Sequence, residues 1–548
     1  MTAGDGDEGR IRTARRAVYG VVALTWVVTI VFFGGVGIDH QADVRLLQRA
    51  FVGWLPVNGF DAPGNYYTQF HPQAVVDSYG YSFSYASHLV TRLVTGLIGN
   101  DYGVFSPTRI VVQNLLVAAL GFASCVMVGR IVRIITRSRV AELIGFVLLA
   151  VTPVWVGHSW MNQKDIPFAA GFLACTLVAV SALDRWRPRE GEPTFSLTST
   201  AEACFVALGI VLTFGVRPGV AVLAVPLLAT VALGPGRRLR VSRPHLVGLV
   251  LGTGVVLATN PASVPNPVAW VLSAVRAGRD FEGWSGQVFF FGRFVNGTDF
   301  GAPELTTDYF FQNPLVVCFG IAIAVVALIV VRRRAPLAVL ALGYHALIVP
   351  AIVFGLVRNN YNAGRQYLFI VPGLIVVSAI GIWLALERVR GRAGSVIRIA
   401  LAISSVTLLF DHITLYPFQY VYRNEAFRFI PDYPDRFEYD YWQISGRQVA
   451  RSLGDLGPGA IYMGGGESPD GSGRFVPSFD TVSPFLVADQ FPTDGISPAA
   501  VGASWMYYWP PKVASLFLGP LNECREVDRV TTMLWPERIS LGSAYDCR

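Results

Sequence analysis

The chain has 548 residues, of which 53% are hydrophobic and only 15% charged, with a mean hydropathy of +0.46. Soluble domains carry about 25% charged residues, so a single soluble domain is excluded, and 35 Phe, 21 Tyr and 12 Trp carry too much apolar surface for a disordered coil. The formal charge of +7 would suggest nucleic acid in a soluble protein, but in a polytopic membrane protein it reads as the positive-inside signal.

A helix needs roughly 20 apolar residues to cross a bilayer. Taken in chain order, clear candidates are 17–38, 110–129, 143–156, 166–183, 246–260, 310–331, 335–357 and 366–386, with weaker ones at 203–216, 219–233 and about 395–415. The first follows Arg10, Arg12, Arg15 and Arg16 and has no small-residue cleavage site, so it reads as an uncleaved anchor. Eleven spans require the basic residues to gather in alternate loops. The N-terminus and the segments 130–139, 185–189, 237–243, 332–334 and 388–398 together hold 22 Arg, which places the N-terminus in the cytoplasm and the C-terminus outside the cell membrane.

The expected fold is therefore a polytopic α-helical membrane protein of about 11 transmembrane helices. A cytoplasmic tail, 1–16, precedes the membrane domain 17–416, whose large outer loops are 39–108 and 261–309, and an extracytoplasmic domain follows at 417–548. The C-terminal domain is polar and reads as a small soluble α/β unit, with a helical pattern near Ile444–Leu456 before the strand-like run Ala460-Ile461-Tyr462-Met463. Cys524 and Cys547, the two cysteines of that domain, are expected to form a disulfide in an oxidising compartment.

Polar residues crowd at the outer helix ends. Asp39, with His40 and Asp43 close behind, follows the first span, where burial suits a carboxylate to general-base work; the alternative is an interfacial charge that ends the helix. His158, Asn162, Lys164 and Asp165 share the short turn between the third and fourth spans, and Lys164 is one of only two lysines in the chain. Asp165-Ile166-Pro167 also has the form of a helix start. A third cluster, 357–367, contains Tyr361 and Arg365. Arg is disfavoured on an outer face, so Arg365 and the isolated Arg217 either bind phosphate through the planar guanidinium fork or snorkel to lipid headgroups.

Asp39 after the first span and the run His158–Phe168 resemble the corresponding sites of the GT-C membrane glycosyltransferases, in particular the protein O-mannosyltransferase and aminoarabinose transferase type. The stretch 360–372 is similar to the Gly-Arg-His-Tyr-type segment of bacterial relatives, and 416–425 followed by 437–442 resembles the junction to their soluble domain. The resemblance implies transfer of a hexose or pentose from a polyprenyl-phosphate donor to an acceptor hydroxyl at the outer face of the cell envelope. It assigns the base or acceptor-orienting role to Asp39 and an assisting role to Asp165. Lys164 and Arg365 would neutralise the donor phosphate. Family members commonly have Asp-Glu where this chain has Asp39-His40, so either His40 serves in proton transfer or Asp43 replaces the missing acid, and a divalent metal stays open. The acceptor, whether glycan, lipid or protein, is open as well; nucleic acid is not expected as a partner.

A lipid-linked sugar flippase or transporter would carry repeats and mid-span charges. The nearly charge-free spans, with polar clusters at one face, favour chemistry at the interface. A polysaccharide polymerase or ligase shares the Arg-bearing outer loops and is not separated by composition.

Overall fold

The computed structural model describes residues 3–33, 78–99, 107–186, 197–232, 243–279, 287–331, 336–357, 360, 363–440, 444–445, 448, 461–464, 504–507 and 525–546. Each predicted apolar stretch falls largely on helix among the described residues. Among the described residues six helices are long and apolar enough to cross a membrane, or up to eight if two bent pairs each count as one span. The helices are α1 (Ala3–Phe33), α2 (Ser82–Ile98), α3 (Pro107–Thr136), α4 (Arg139–Ala150), α5 (Pro153–Ser159), α6 (Asp165–Trp186) and α7 (Ser199–Thr213). There follow α8 (Pro218–Val231), α9 (Arg243–Thr259), α10 (Pro267–Arg279), α11 (Ala302–Gln312), α12 (Leu315–Val331), α13 (Ala338–Leu356), α14 (Val371–Arg388) and α15 (Gly391–Thr414). The three shorter apolar helices α7, α8 and α9 cover the stretches expected as 203–216, 219–233 and 246–260.

Proline corrects two of the expected spans. The stretch 143–156 is broken between α4 and α5, which meet at 66°, because Thr152 precedes Pro153 and is held extended at φ −70°, ψ 112°. The span expected from Phe310 starts at Leu315 instead: Asn313, before Pro314, is extended, and Phe310 belongs to α11, bent 109° from its successor. The loops 39–108 and 261–309 likewise contain helices, α2 in the first and α10 and α11 in the second.

Burial orders the bundle. Helix α6 is enclosed along its length, whereas α1 and α15 lie at the periphery and expose apolar side chains such as Val21, Leu24, Val406 and Ile413. Surfaces of this kind are stable only against lipid, and the chain is a multi-pass membrane protein. Small residues let helices touch through their backbones: Gly381 of α14 lies against the Gly320 carbonyl of α12, leaving no room for a Cβ.

Both ends of α6 carry buried charge, separated by roughly 30 Å at 1.5 Å per residue. At its C-terminal end Arg137 Nη2 donates to both Asp184 carboxylate oxygens, each at 2.9 Å. Nearby, Glu142 accepts from Arg15 and Arg133 at 3.1 and 3.2 Å, and Glu202 pairs with Arg185 and, at 2.9 Å, with His245. These pairs cap the bundle at the end where the loop arginines gather.

Beyond the spans, β1 (Gln287–Phe290) and β2 (Arg293–Asn296) form a hairpin. A four-stranded sheet follows, made of β3 (Ile461–Gly464), β4 (Ser504–Tyr507), β5 (Arg525–Leu534) and β6 (Glu537–Asp546) in the order β3-β4-β6-β5, with β3 and β4 parallel and the other pairs antiparallel. The expected strand at 460–463 is β3. The helical pattern near 444–456 lies largely outside the described residues, as do Cys524 and Cys547.

Candidate active site at the Asp165 end

The turn between α5 and α6 is buried, although a turn linking two spans would be expected to face water. His158, Ser159 and Asn162 are fully enclosed and Asp165 nearly so. The enclosing element is the 3-10 turn Gln419–Val421, whose Tyr420 backbone packs against Gly157 so closely that a Cβ there would collide with it. Tyr420 also meets the His158 ring edge-on, with centroids 6.2 Å apart.

Asn162 organises the turn. Its Oδ1 accepts from the backbone N–H groups of Asp165 at 2.8 Å and Lys164 at 3.2 Å, so the amide caps α6 in the manner expected of Asp165 itself. Its Nδ2 donates to Asp165 Oδ2 at 2.8 Å and lies 3.1 Å from His158 Nδ1. The other Asp165 oxygen forms an ion pair with Arg217, in the break between α7 and α8. Arg217 is thus tied to a buried carboxylate; at this helix N-terminus the Asp165 carboxylate also lies in the favourable field of the α6 dipole.

Arg217 lines a cavity of about 260 Å³. Its wall is mostly apolar, with Val220, Leu223, Ile352 and Leu356, and its polar contributors include Tyr79, Gln366 and Arg279. Lys164 reaches the same neighbourhood, with Nζ 5.0 Å from the centre of the Tyr79 ring.

Arg365 arrives on the 3-10 segment Ala363–Ile370, directly before cavity residues Gln366 and Tyr367, and is buried. Asp308 on α11 anchors this segment: its Oδ2 accepts from the Gly364 N–H at 2.8 Å and from Gln312 at 2.6 Å, and its Oδ1 faces Arg423 at 3.2 Å. His345 on α13 clamps the far end, with Nε2 2.7 Å from the Phe369 carbonyl and Nδ1 2.9 Å from Thr176 Oγ1 of α6.

Two further acids join from the segment after the last span. Asp440 accepts from the Tyr420 hydroxyl and from the backbone N–H groups of Ile444 and Ser445, at 2.9 and 3.1 Å. Burial pushes its carboxyl up to about 6 despite those bonds. Glu438 is pushed up to about 7, first by burial and then by the neighbouring Asp440, while the Arg365 guanidinium pulls it down.

The structure therefore gathers His158, Asn162, Lys164, Asp165, Arg217 and Arg365 at one end of the bundle. Asp39, His40, Asp43 and Tyr361 lie outside the described residues. Reading the sequence for polar clusters left out Asp308, Tyr420, Arg423, Glu438 and Asp440. The signal for the last two was an acid alternating with aromatics in Phe437-Glu438-Tyr439-Asp440-Tyr441-Trp442. Among the described residues no three His, Cys, Asp or Glu side chains gather as a metal site would require.

No family model and no curated protein matches the chain. Solved structures do resemble it. The chain is similar to ArnT from Cupriavidus metallidurans bound to undecaprenyl phosphate, at 14% identity over 97% of this chain and 98% of that one, with a TM-score of 0.43. It is similar also to the apo state of the same ArnT, at 13% identity over the same shares and a TM-score of 0.42. The oligosaccharyltransferase of Archaeoglobus fulgidus, in its apo form, is 14% identical over 89% of this chain and 65% of that one, with a TM-score of 0.42.

Proposed function

We propose that this protein is an integral membrane glycosyltransferase, which moves a sugar from a polyprenyl-phosphate donor to an acceptor hydroxyl on the extracytoplasmic face of the cell membrane. The observation that carries the reading is the cavity beside α8 and α13: an apolar wall of the kind a prenyl chain needs, with the Arg217–Asp165 pair at its polar side. The sequence resemblance of 39, 158–168 and 360–372 supports the same reaction.

In the transfer, the acceptor oxygen attacks the anomeric carbon as its proton passes to a carboxylate, and the bond from that carbon to the phosphate oxygen breaks. Negative charge grows on the departing phosphate. Cations fixed in a low-dielectric site stabilise that charge without reorganising. Arg217, Lys164 and Arg365 serve this role, with Asp165 and Asn162 holding Arg217 and the turn in place. Asp39 is assigned as the proton acceptor. The N-terminus is placed in the cytoplasm, following the loop arginines.

The test is transfer from a synthetic polyprenyl-phospho-sugar to hydroxyl acceptors by the purified protein in nanodiscs. Wild type is expected to turn over and Asp39→Asn to lose at least about a hundredfold, the usual scale for a general base. Equal turnover by a folded Asp39→Asn removes Asp39 from the role. No transfer from any donor, together with sugar-lipid exchange across vesicles, would establish a flippase instead.

A further inference from the structure

We infer that the tip of the β5–β6 hairpin, together with the neighbouring Phe429, inserts into the interface of the lipid bilayer and moors the C-terminal sheet to it. This does not depend on the reaction proposed above.

Helix α15 carries an unbroken outward stripe of Val396, Ile399, Ile403, Val406, Phe410 and Ile413, all exposed, at the three- and four-residue spacing of one helical face. On a peripheral membrane span that face is covered by acyl chains. Near the end of the helix that carries the stripe, two further large aromatics are exposed: Phe429 at 87% and Trp535 at 49%.

Contacts to the last turn of α15 and across the hairpin turn fix them at that end of the helix. Arg428 forms an ion pair with Asp411, in the last turn of the helix, and lies 5.8 Å from the centre of the Trp535 ring. The Thr532 hydroxyl donates to the carbonyl of Thr414, the final residue of α15, at 3.1 Å. Tyr433 donates to the Leu534 carbonyl and accepts from the Glu537 N–H at 3.1 Å, closing the hairpin turn onto the segment that bears Phe429. The turn is therefore held at the depth where α15 leaves the hydrocarbon.

The chemistry of the patch matches that depth. Trp, an apolar body with a polar N–H, concentrates at the headgroup boundary, and Phe adds apolar area of the kind that interfacial elements bury. Arg538, exposed beside the turn, is suited to lipid phosphate. Attachment to the lipid-facing helix identifies the occupant as the bilayer.

The photoreactive residue benzoylphenylalanine, placed at Phe429, at Trp535 or at the exposed Asp528, keeps a large ring at surface positions. Asp528 serves as reference because it lies roughly 20 Å from the turn along β5. The full chain is irradiated in nanodiscs of phosphatidylethanolamine and phosphatidylglycerol, and acyl-chain adducts are read by mass spectrometry. The expected yield at 429 and 535 exceeds that at 528 by about tenfold, equivalent to about 1.4 kcal/mol of interfacial preference. Equal yields at all three positions, or crosslinks to a second copy of the protein in place of lipid, would overturn the inference.

Discussion

The Arg217 guanidinium is the residue on which most of the site turns, since it joins a buried carboxylate to an apolar cavity. Removing one partner of a buried pair leaves the other charged in a poor solvent, at a cost of about 3 kcal/mol or more. Arg217→Ala is therefore expected to lower the thermal midpoint clearly, and Arg217→Leu combined with Asp165→Leu to recover much of it, because two apolar groups need no partner. Both variants should lose transfer activity. That combination separates the electrostatic role from the structural one. Glu438 offers a pH readout. Burial pushes its carboxyl up to about 7 in the folded protein from an ordinary 4.5, so between those values the folded state binds more protons than the unfolded one. Its contribution to stability is complete below about 4.5 and is lost as pH rises through about 7. Thermal midpoints measured across that range should fall with pH for wild type and fall less for Glu438→Gln.

At the scale of elements, the site depends on two segments that fold over helix ends. The turn Gln419–Val421 seals α5, and the 3-10 segment Ala363–Ile370 delivers Arg365. Contact between the first and α5 is through backbone, which only Gly157 permits. Gly157→Ala should displace that turn at a cost of about 1–3 kcal/mol, the usual range for forcing extra atoms into a packed site, and should loosen Tyr420 from Asp440. Thermal unfolding, with hydrogen exchange at residues 419–421, checks both outcomes. Breaks at Thr152 and Asn313 were legible from the prolines that follow them, given the rule that the residue before Pro avoids the helical region. The apolar count alone ran through both breaks because hydropathy carries no record of backbone hydrogen bonding.

For the molecule as a whole, the bundle and the sheet are joined through the hairpin of β5 and β6, whose register pairs Arg525 with Asp546. Cys524 and Cys547 flank these two in sequence and lie outside the described residues, so the disulfide between them stands as an expectation from the sequence. The expected disulfide should appear as one crosslinked peptide pair in a non-reduced digest and vanish on reduction. Two freely alkylated thiols in freshly purified protein would contradict it.

Composition and periodicity determined by themselves that the chain is a polytopic helical membrane protein and where its apolar helices run, because burial in lipid demands long apolar stretches whatever their neighbours. Residue type and local spacing also marked His158, Asn162, Lys164, Asp165, Arg217 and Arg365. Only the tertiary structure decided that Asn162 caps α6, that Arg217 belongs to Asp165, and that Glu438 and Asp440 join the same end of the bundle. Those partners lie 3, 52 and more than 270 positions from Asp165 in the chain. Charge pairing in a low-dielectric interior acts through distance in space, which no window along the sequence records.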